Sequence, residues 1–188
     1  MGKSMDTTWK TTTLGEITKW SSGGTPPKSN PSCWSGSTPW ISAKTMPDGW
    51  VDSSSVTIST EASKRYSQLA PVNSVLLLVR GSGLYNRRYI SIVRHPVAFN
   101  QDIKCLEAKD GLLSAFLYYL LKAYDSKLLE MLETTGIGAG KFDTKRLQDM
   151  VVQIPPLPVQ QHISSIFSSL DDKIELNQKV NHNLPLAA

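Results

Sequence analysis

Val151 to Leu184 reads VVQIPPLPVQQHISSIFSSLDDKIELNQKVNHNL. The β-branched residues Val151, Val152 and Ile154 suit a strand. Pro155, Pro156 and Pro158 lack the amide donor that a ladder needs and force an extended exit. From Val159 there is no further Pro until Pro185, and no Gly. Val159, Ile163, Ile166, Phe167, Leu170, Ile174, Val180 and Leu184 recur at threes and fours, opposite a face of Ser, Asp, Lys, Asn and Gln. This predicts an amphipathic helix of about 26 residues, ended by Pro185. A helix this long at the end of a small chain usually packs against another helix. Taken alone, the spacing is also that of an ordinary surface helix closing a domain.

The order of residues says more than their spacing. The string I-P-P-L-P-x-Q-Q-x-I, followed by L-D-x-K-I-E-L-N-Q-K-x-N-x-N-L, resembles the conserved helical region of type I restriction–modification specificity subunits. The likeness returns near the start, in L-G-E-I, then G-G-T-P-x-K, then W-x-G-x-x-P-W-I, which is similar to the opening of a target recognition domain in the same family. Ala98-Phe99-Asn100-Gln101-Asp102 matches the family's x-x-N-Q-D turn. That turn reads as structural, because Asn and Asp side chains hold local backbone. The resemblance covers about residues 9–184. It implies a protein that chooses a DNA sequence and catalyses nothing itself.

Composition agrees without demanding it. The 188 residues are 40% hydrophobic and 19% charged, enough for one core plus an appendage. A formal charge of +4 suits an anionic partner. Cys33 and Cys105 form no CxxC pair, so a reduced intracellular protein is the simplest reading and a cytoplasmic location is expected. No apolar run is long enough to span a membrane, and MGKSMDTTWK has no secretory apolar core. Asp6 stands where a myristoylation signal needs Ser or Thr.

Residues 9–60 are rich in Trp, Ser, Thr, Gly and Pro. WKTTTLGEITKW alternates well enough for a strand or two, and Gly23-Gly24 with Pro26-Pro27 mark a long loop or turn pair. Trp40-Ile41 re-enters a sheet. Trp34, Trp40 and Trp50 read as core residues. Thr25, Lys28 and Lys44 from this part join the candidate DNA-binding set.

Residues 62–101 hold Lys64, Arg65, Arg80, Arg87, Arg88 and Arg94 and no acidic residue. Val75 to Val79 is a continuous apolar run, a buried strand, and Tyr89 to Val93 is another. Between them lies the loop Arg80-Gly81-Ser82-Gly83-Leu84-Tyr85-Asn86-Arg87-Arg88. Arg bonds two guanine edge acceptors at once, and Asn does the same with adenine. Arg80, Ser82, Tyr85, Asn86, Arg87 and Arg88 are therefore candidate DNA-binding residues, with Lys64 and Arg65 on phosphates. A basic solvated hairpin is the plainer alternative.

Leu112, Leu113, Phe116, Leu117, Leu120, Leu121, Leu128 and Leu132 predict one core helix ending near Glu133, where the glycine-rich stretch 134–140 begins. Lys141 follows and is a candidate phosphate contact. A phosphate-binding loop would need Gly at 135 and Ser or Thr at 142, but the chain has Thr135 and Phe142. Thr144 to Leu147 fits a short helix before the last strand. His95, His162 and His182 show no metal spacing. Ile154-Pro155-Pro156-Leu157 lacks the flanking groups of an adenine methyltransferase loop. Asp48 with Glu107 and Lys109 only loosely imitates a nuclease pattern.

The expectation is an α+β fold. A mixed sheet with packed helices forms a recognition domain over residues 1–155, and one long C-terminal helix over 156–188 is a spacer. The resemblance implies double-stranded DNA and methyltransferase subunits as partners, with a restriction subunit as a further one. It places S-adenosylmethionine in the methyltransferase partner and no cofactor in this chain. A family subunit carries two such halves, so this chain is a half-subunit or a fragment. Pairing of two copies is expected through Ile163, Ile166, Phe167, Leu170, Ile174, Asn177, Val180 and Leu184. The other readings are a stand-alone dimeric DNA-binding protein and a Trp-rich carbohydrate- or protein-binding module.

Overall fold

The apolar run at 75–79 lies at the middle of the molecule. The computed structural model describes residues 8–136 and 138–183. Leu184, Pro185, Ile137 and the segment 1–7 lie outside them, and with them the expected helix stop and one expected pairing residue.

The chain runs β1 (Lys10–Thr13), α1 (Leu14–Ile17), β2 (Thr18–Ser22), a 3-10 turn (Pro31–Trp34), β3 (Thr38–Ile41) and β4 (Gly49–Val51). It continues as β5 (Thr57–Ile58), α2 (Thr60–Tyr66), β6 (Leu69–Ala70), β7 (Val75–Leu78), β8 (Arg80–Gly81) and a second 3-10 turn (Ser82–Tyr85). Then come β9 (Ile90–Val93), β10 (Val97–Phe99), β11 (Ile103–Ala108), α3 (Ser114–Ala123) and α4 (Asp125–Glu130). The chain closes with β12 (Leu132–Thr134), β13 (Gly140–Phe142), α5 (Thr144–Gln148), β14 (Val151–Ile154) and α6 (Leu157–Asn183). The α+β expectation holds: mixed sheets with packed helices, the last helix long.

The main sheet has the order β2-β11-β7-β9-β4. β7 is its centre, antiparallel to both neighbours. Val75, Leu76, Leu77 and Leu78 are all at most 1% exposed, which explains an unbroken apolar run where a half-buried strand would alternate. α3 packs against β7, β9 and β11. A second sheet, β5-β3-β10-β6, carries its own small core of Cys33, Trp40, Ile58, Ala62 and Ala98. Trp34 meets Trp40 edge to face at 5.2 Å, so these two tryptophans pack as expected. A third sheet joins β12-β13-β8, and β1 pairs with β14 in an antiparallel ribbon.

Two local expectations change. L-G-E-I is a helical turn between two strands, closed by a capping box in which Thr13 Oγ1 accepts from the Glu16 amide and Glu16 Oε2 accepts from the Thr13 amide. The expected single helix 112–133 is two, broken at Tyr124, and Leu132 lies in a strand. The break has a partner that the apolar spacing does not show. Asp125, first residue of α4, receives the Arg88 guanidinium, and Leu132 opposes Phe142 in the third sheet.

α6 begins as part of the body. Gln160, 1% exposed, accepts from the Leu113 amide and donates to the Gly111 and Pro155 carbonyls, each at 2.9 Å. Tyr119 donates to Asp171 Oδ2 at 2.9 Å, and its ring lies 5.2 Å from that of Phe167. Farther along, Arg94 sits 4.0 Å over the Trp50 ring and donates to Glu175 at 3.2 Å. No described helix is long and apolar enough to cross a membrane.

Candidate nucleic-acid interface

The loop 80–88 is anchored at both ends. Leu84 is fully buried in the 3-10 turn, and the Tyr85 hydroxyl donates to Thr134 Oγ1 at 2.7 Å. Arg87 donates to Asp48 Oδ2 through Nε at 3.1 Å and Nη2 at 2.5 Å. Asp48 also accepts from Lys122 and from the Ile90 amide. Arg88 grips both oxygens of Asp125 and has a side chain only 11% exposed. These hydrogen bonds raise both guanidinium pKa values and hold the Asp125 carboxyl below its ordinary range. Arg94 is paired with Glu175 and lies near Asp172. The stretch 62–101 is acid-free in sequence, yet carboxylates from positions 48, 125, 172 and 175 meet three of its arginines. Ser82 and Asn86 stay exposed at the turn.

Arg80 faces elsewhere. β8 sets it opposite Lys141 of β13, and both line a cleft of about 220 Å³ with Lys104, Gln101 and Asp102. Gln101 and Asp102 also line an adjoining cleft of about 600 Å³, walled by Thr25, Lys28, Lys44 and Trp34. The two clefts share Gln101 and Asp102 in their linings, and together they form a trough about which Lys28, Lys44, Arg80, Lys104 and Lys141 stand. The carboxylate that lines both parts is Asp102, which accepts from the Asn100 amide group at 3.0 Å. Lys104 is also bonded to Ser22 Oγ.

Gly23 and Gly24 hold one wall in place. A Cβ on Gly23 would lie 1.9 Å from the Phe99 carbonyl oxygen, and one on Gly24 would lie 2.0 Å from that of Tyr66. The Gly24 amide donates to Phe99 at 2.9 Å and its carbonyl accepts from Trp40 Nε1 at 3.1 Å. The pair is needed for close backbone approach, and Thr25 follows directly into the trough.

The trough thus gathers Thr25, Lys28, Lys44, Arg80 and Lys141 from the expected set. It does not gather Tyr85, Arg87 or Arg88. Lys64 and Arg65 are exposed at the end of α2, with Arg65 5.3 Å over the Tyr66 ring. Sequence reading missed Gln101 and Lys104. The signal for Lys104 was present: it alternates with buried Ile103 and Cys105 along β11.

A second surface is apolar. Ile166, Phe167, Leu170, Ile174 and Val180 on α6 are each about half exposed, between 47% and 54%. Ile163 is partly buried against the core, and Asn177 is exposed. Beside the stripe, Trp9, Tyr119, Ile163 and Phe167 line a groove of about 560 Å³ between α3 and α6.

The chain has relatives among known proteins. The family described as type I restriction modification DNA specificity domain matches residues 6–186. A type I restriction enzyme specificity subunit of Escherichia coli is 35% identical over 94% of this chain and 43% of its own length. One from Methanocaldococcus jannaschii is 28% identical over 94% of this chain and 41% of its own length. The chain therefore spans less than half the length of these curated relatives. Among solved structures, the HsdS subunit from Thermoanaerobacter tengcongensis superposes with a TM-score of 0.66 at 18% identity, covering 92% of this chain and 39% of that one. The type I restriction–modification S subunit from M. genitalium gives 0.68 at 15% identity, covering 93% and 42%. By its sequence along almost its whole length, and by the fold that carries it, this chain belongs to the type I restriction modification DNA specificity domain family.

Proposed function

We propose that this chain selects the DNA sequence on which a type I restriction–modification complex acts. The observation that carries this is the trough ringed by Lys28, Lys44, Arg80, Lys104 and Lys141. Cations spread along a groove neutralise successive phosphates and release counterions. Polar side chains between them are placed to meet base edges. The body, residues 1–155, is the recognition domain, and α6 is the spacer. Methylation belongs to partner methyltransferase subunits that carry S-adenosylmethionine, and cleavage to a restriction subunit.

We further propose that two copies pair through α6. The half-exposed stripe from Ile166 to Val180 supports this. An exposed apolar row of this kind favours a partner helix over water. With Asn177 in the seam, the helices gain a fixed register at some cost in strength.

The test joins two measurements. Duplex DNA titrated into the full chain is expected to bind with an affinity that falls steeply with salt. Co-expression with a type I methyltransferase subunit is expected to yield a complex that methylates adenine, whereas the chain alone transfers no methyl group. Salt-independent or absent DNA binding, with no co-purifying complex, refutes the reading.

A further inference from the structure

We propose that Gln101 reads one A·T base pair through the major groove and that Thr25 positions its amide; this rests on the DNA-binding reading above. Gln101 lies where the two parts of the trough meet. Its backbone is held on both sides. The Asn100 amide donates to the Ile41 carbonyl at 2.9 Å, and the Asp102 amide donates to Asn100 Oδ1 at 3.2 Å. Asn100 is itself only 6% exposed, so the turn is seated in the body. The Gln101 side chain is exposed in the trough.

The hydrogen-bond arithmetic leaves it free to read. The Thr25 hydroxyl donates to Gln101 Oε1 at 2.7 Å. An amide oxygen has two lone pairs, and the amide nitrogen carries two protons. After Thr25 is served, one acceptor and the adjacent donors remain. That side-by-side acceptor and donor matches adenine N6–H and N7 in the major groove. Because Thr25 already fixes the amide, less rotamer freedom is lost on contact. Lys44 and Arg80 flank the amide on either side and suit the phosphates. The Asp102 carboxylate beside Gln101 repels phosphate. It steers the backbone to the lysine walls and leaves the floor to bases.

The experiment is selection from a pool of random duplex DNA by the full chain, with sequencing of the bound fraction. The wild type is expected to enrich a motif that contains the A·T pair. Gln101→Ala is expected to lose about 10-fold in preference at that pair alone, with the other positions kept. Gln101→Glu, which accepts but does not donate, is expected to move the preference there toward cytosine, whose N4 donates. Thr25→Val is expected to weaken the same position by a smaller factor. Lys44→Ala and Arg80→Ala are expected to weaken all sequences alike and make the salt dependence shallower. If both Gln101 variants select the wild-type motif unchanged, or lose preference at a pair other than A·T, the assignment is overturned while DNA binding stands. If the wild type binds but enriches no sequence, or does not bind at all, the assignment and the recognition reading fall together.

Discussion

A methyl group on Gly23 would sit far inside the van der Waals contact distance to the Phe99 carbonyl oxygen, at 1.9 Å. Gly23→Ala is therefore expected to cost about 3 kcal/mol or more of folding stability, measured by urea denaturation. Ser22→Ala, one residue earlier on an exposed site, is expected to change little. Arg88 makes a subtler case. It is nearly buried while its partner Asp125 is 44% exposed, so solvent screens part of the pair. Arg88→Ala is expected to destabilise by about 1 kcal/mol at neutral pH and to leave DNA affinity unchanged. Asp125 is held below its ordinary 3.8, chiefly by the Arg88 hydrogen bonds. The pair's contribution is therefore full above that value and is lost as pH falls through the lowered one. The stability gap between wild type and Arg88→Ala should close in acid, which pH-dependent denaturation curves read directly.

Among the elements, α6 is the one whose surface looks unfinished. Leu170, 50% exposed, can become Asp without disturbing the core of one copy. Leu170→Asp is expected to weaken self-association about 10-fold or more in sedimentation, with no loss of melting temperature in the isolated domain. α6 was legible in sequence because its period is local: threes and fours over many turns need no knowledge of the rest. β7 was legible for the same reason: a run this short, β-branched at both ends and bounded by Asn73-Ser74 and Gly81, suits a strand covered on both faces, as it is. The split of α3 from α4 was not legible, because the apolar spacing runs on past the break, and the contact Asp125 makes there, with Arg88, spans 37 residues. The trough was half legible. Residue type alone identified Arg80 and Lys141, but which arginines remain unpaired depends on acids far away in sequence, and Asp48 meets Arg87 from 39 residues off. Gln101 hid between an Asn and an Asp that do hold the turn, and nothing local separates the reader from its supports.

At the scale of the molecule, α6 is 27 residues long, about 40 Å at the usual rise. If two copies pair through α6 as proposed, with the helices antiparallel, the two identical recognition domains read an inverted repeat with an unread gap. Seven residues inserted after Leu176 keep the apolar face in phase and lengthen the helix by about 10 Å, roughly 3 base pairs. The selected site is expected to keep its half-site and gain that much gap; an unmoved gap sinks the reading of α6 as a spacer between two domains. The ribbon of β1 and β14 has another meaning. Lys10 stands opposite Ile154, so the body's first strand and its last run side by side about 5 Å apart. A fold whose two ends meet is a cassette. It can be cut out and set into another chain at that single doorway without stretching anything inside, and the trough, with whatever sequence it prefers, would travel whole. New specificities would then arise by trading bodies between helices as well as by altering residues one at a time.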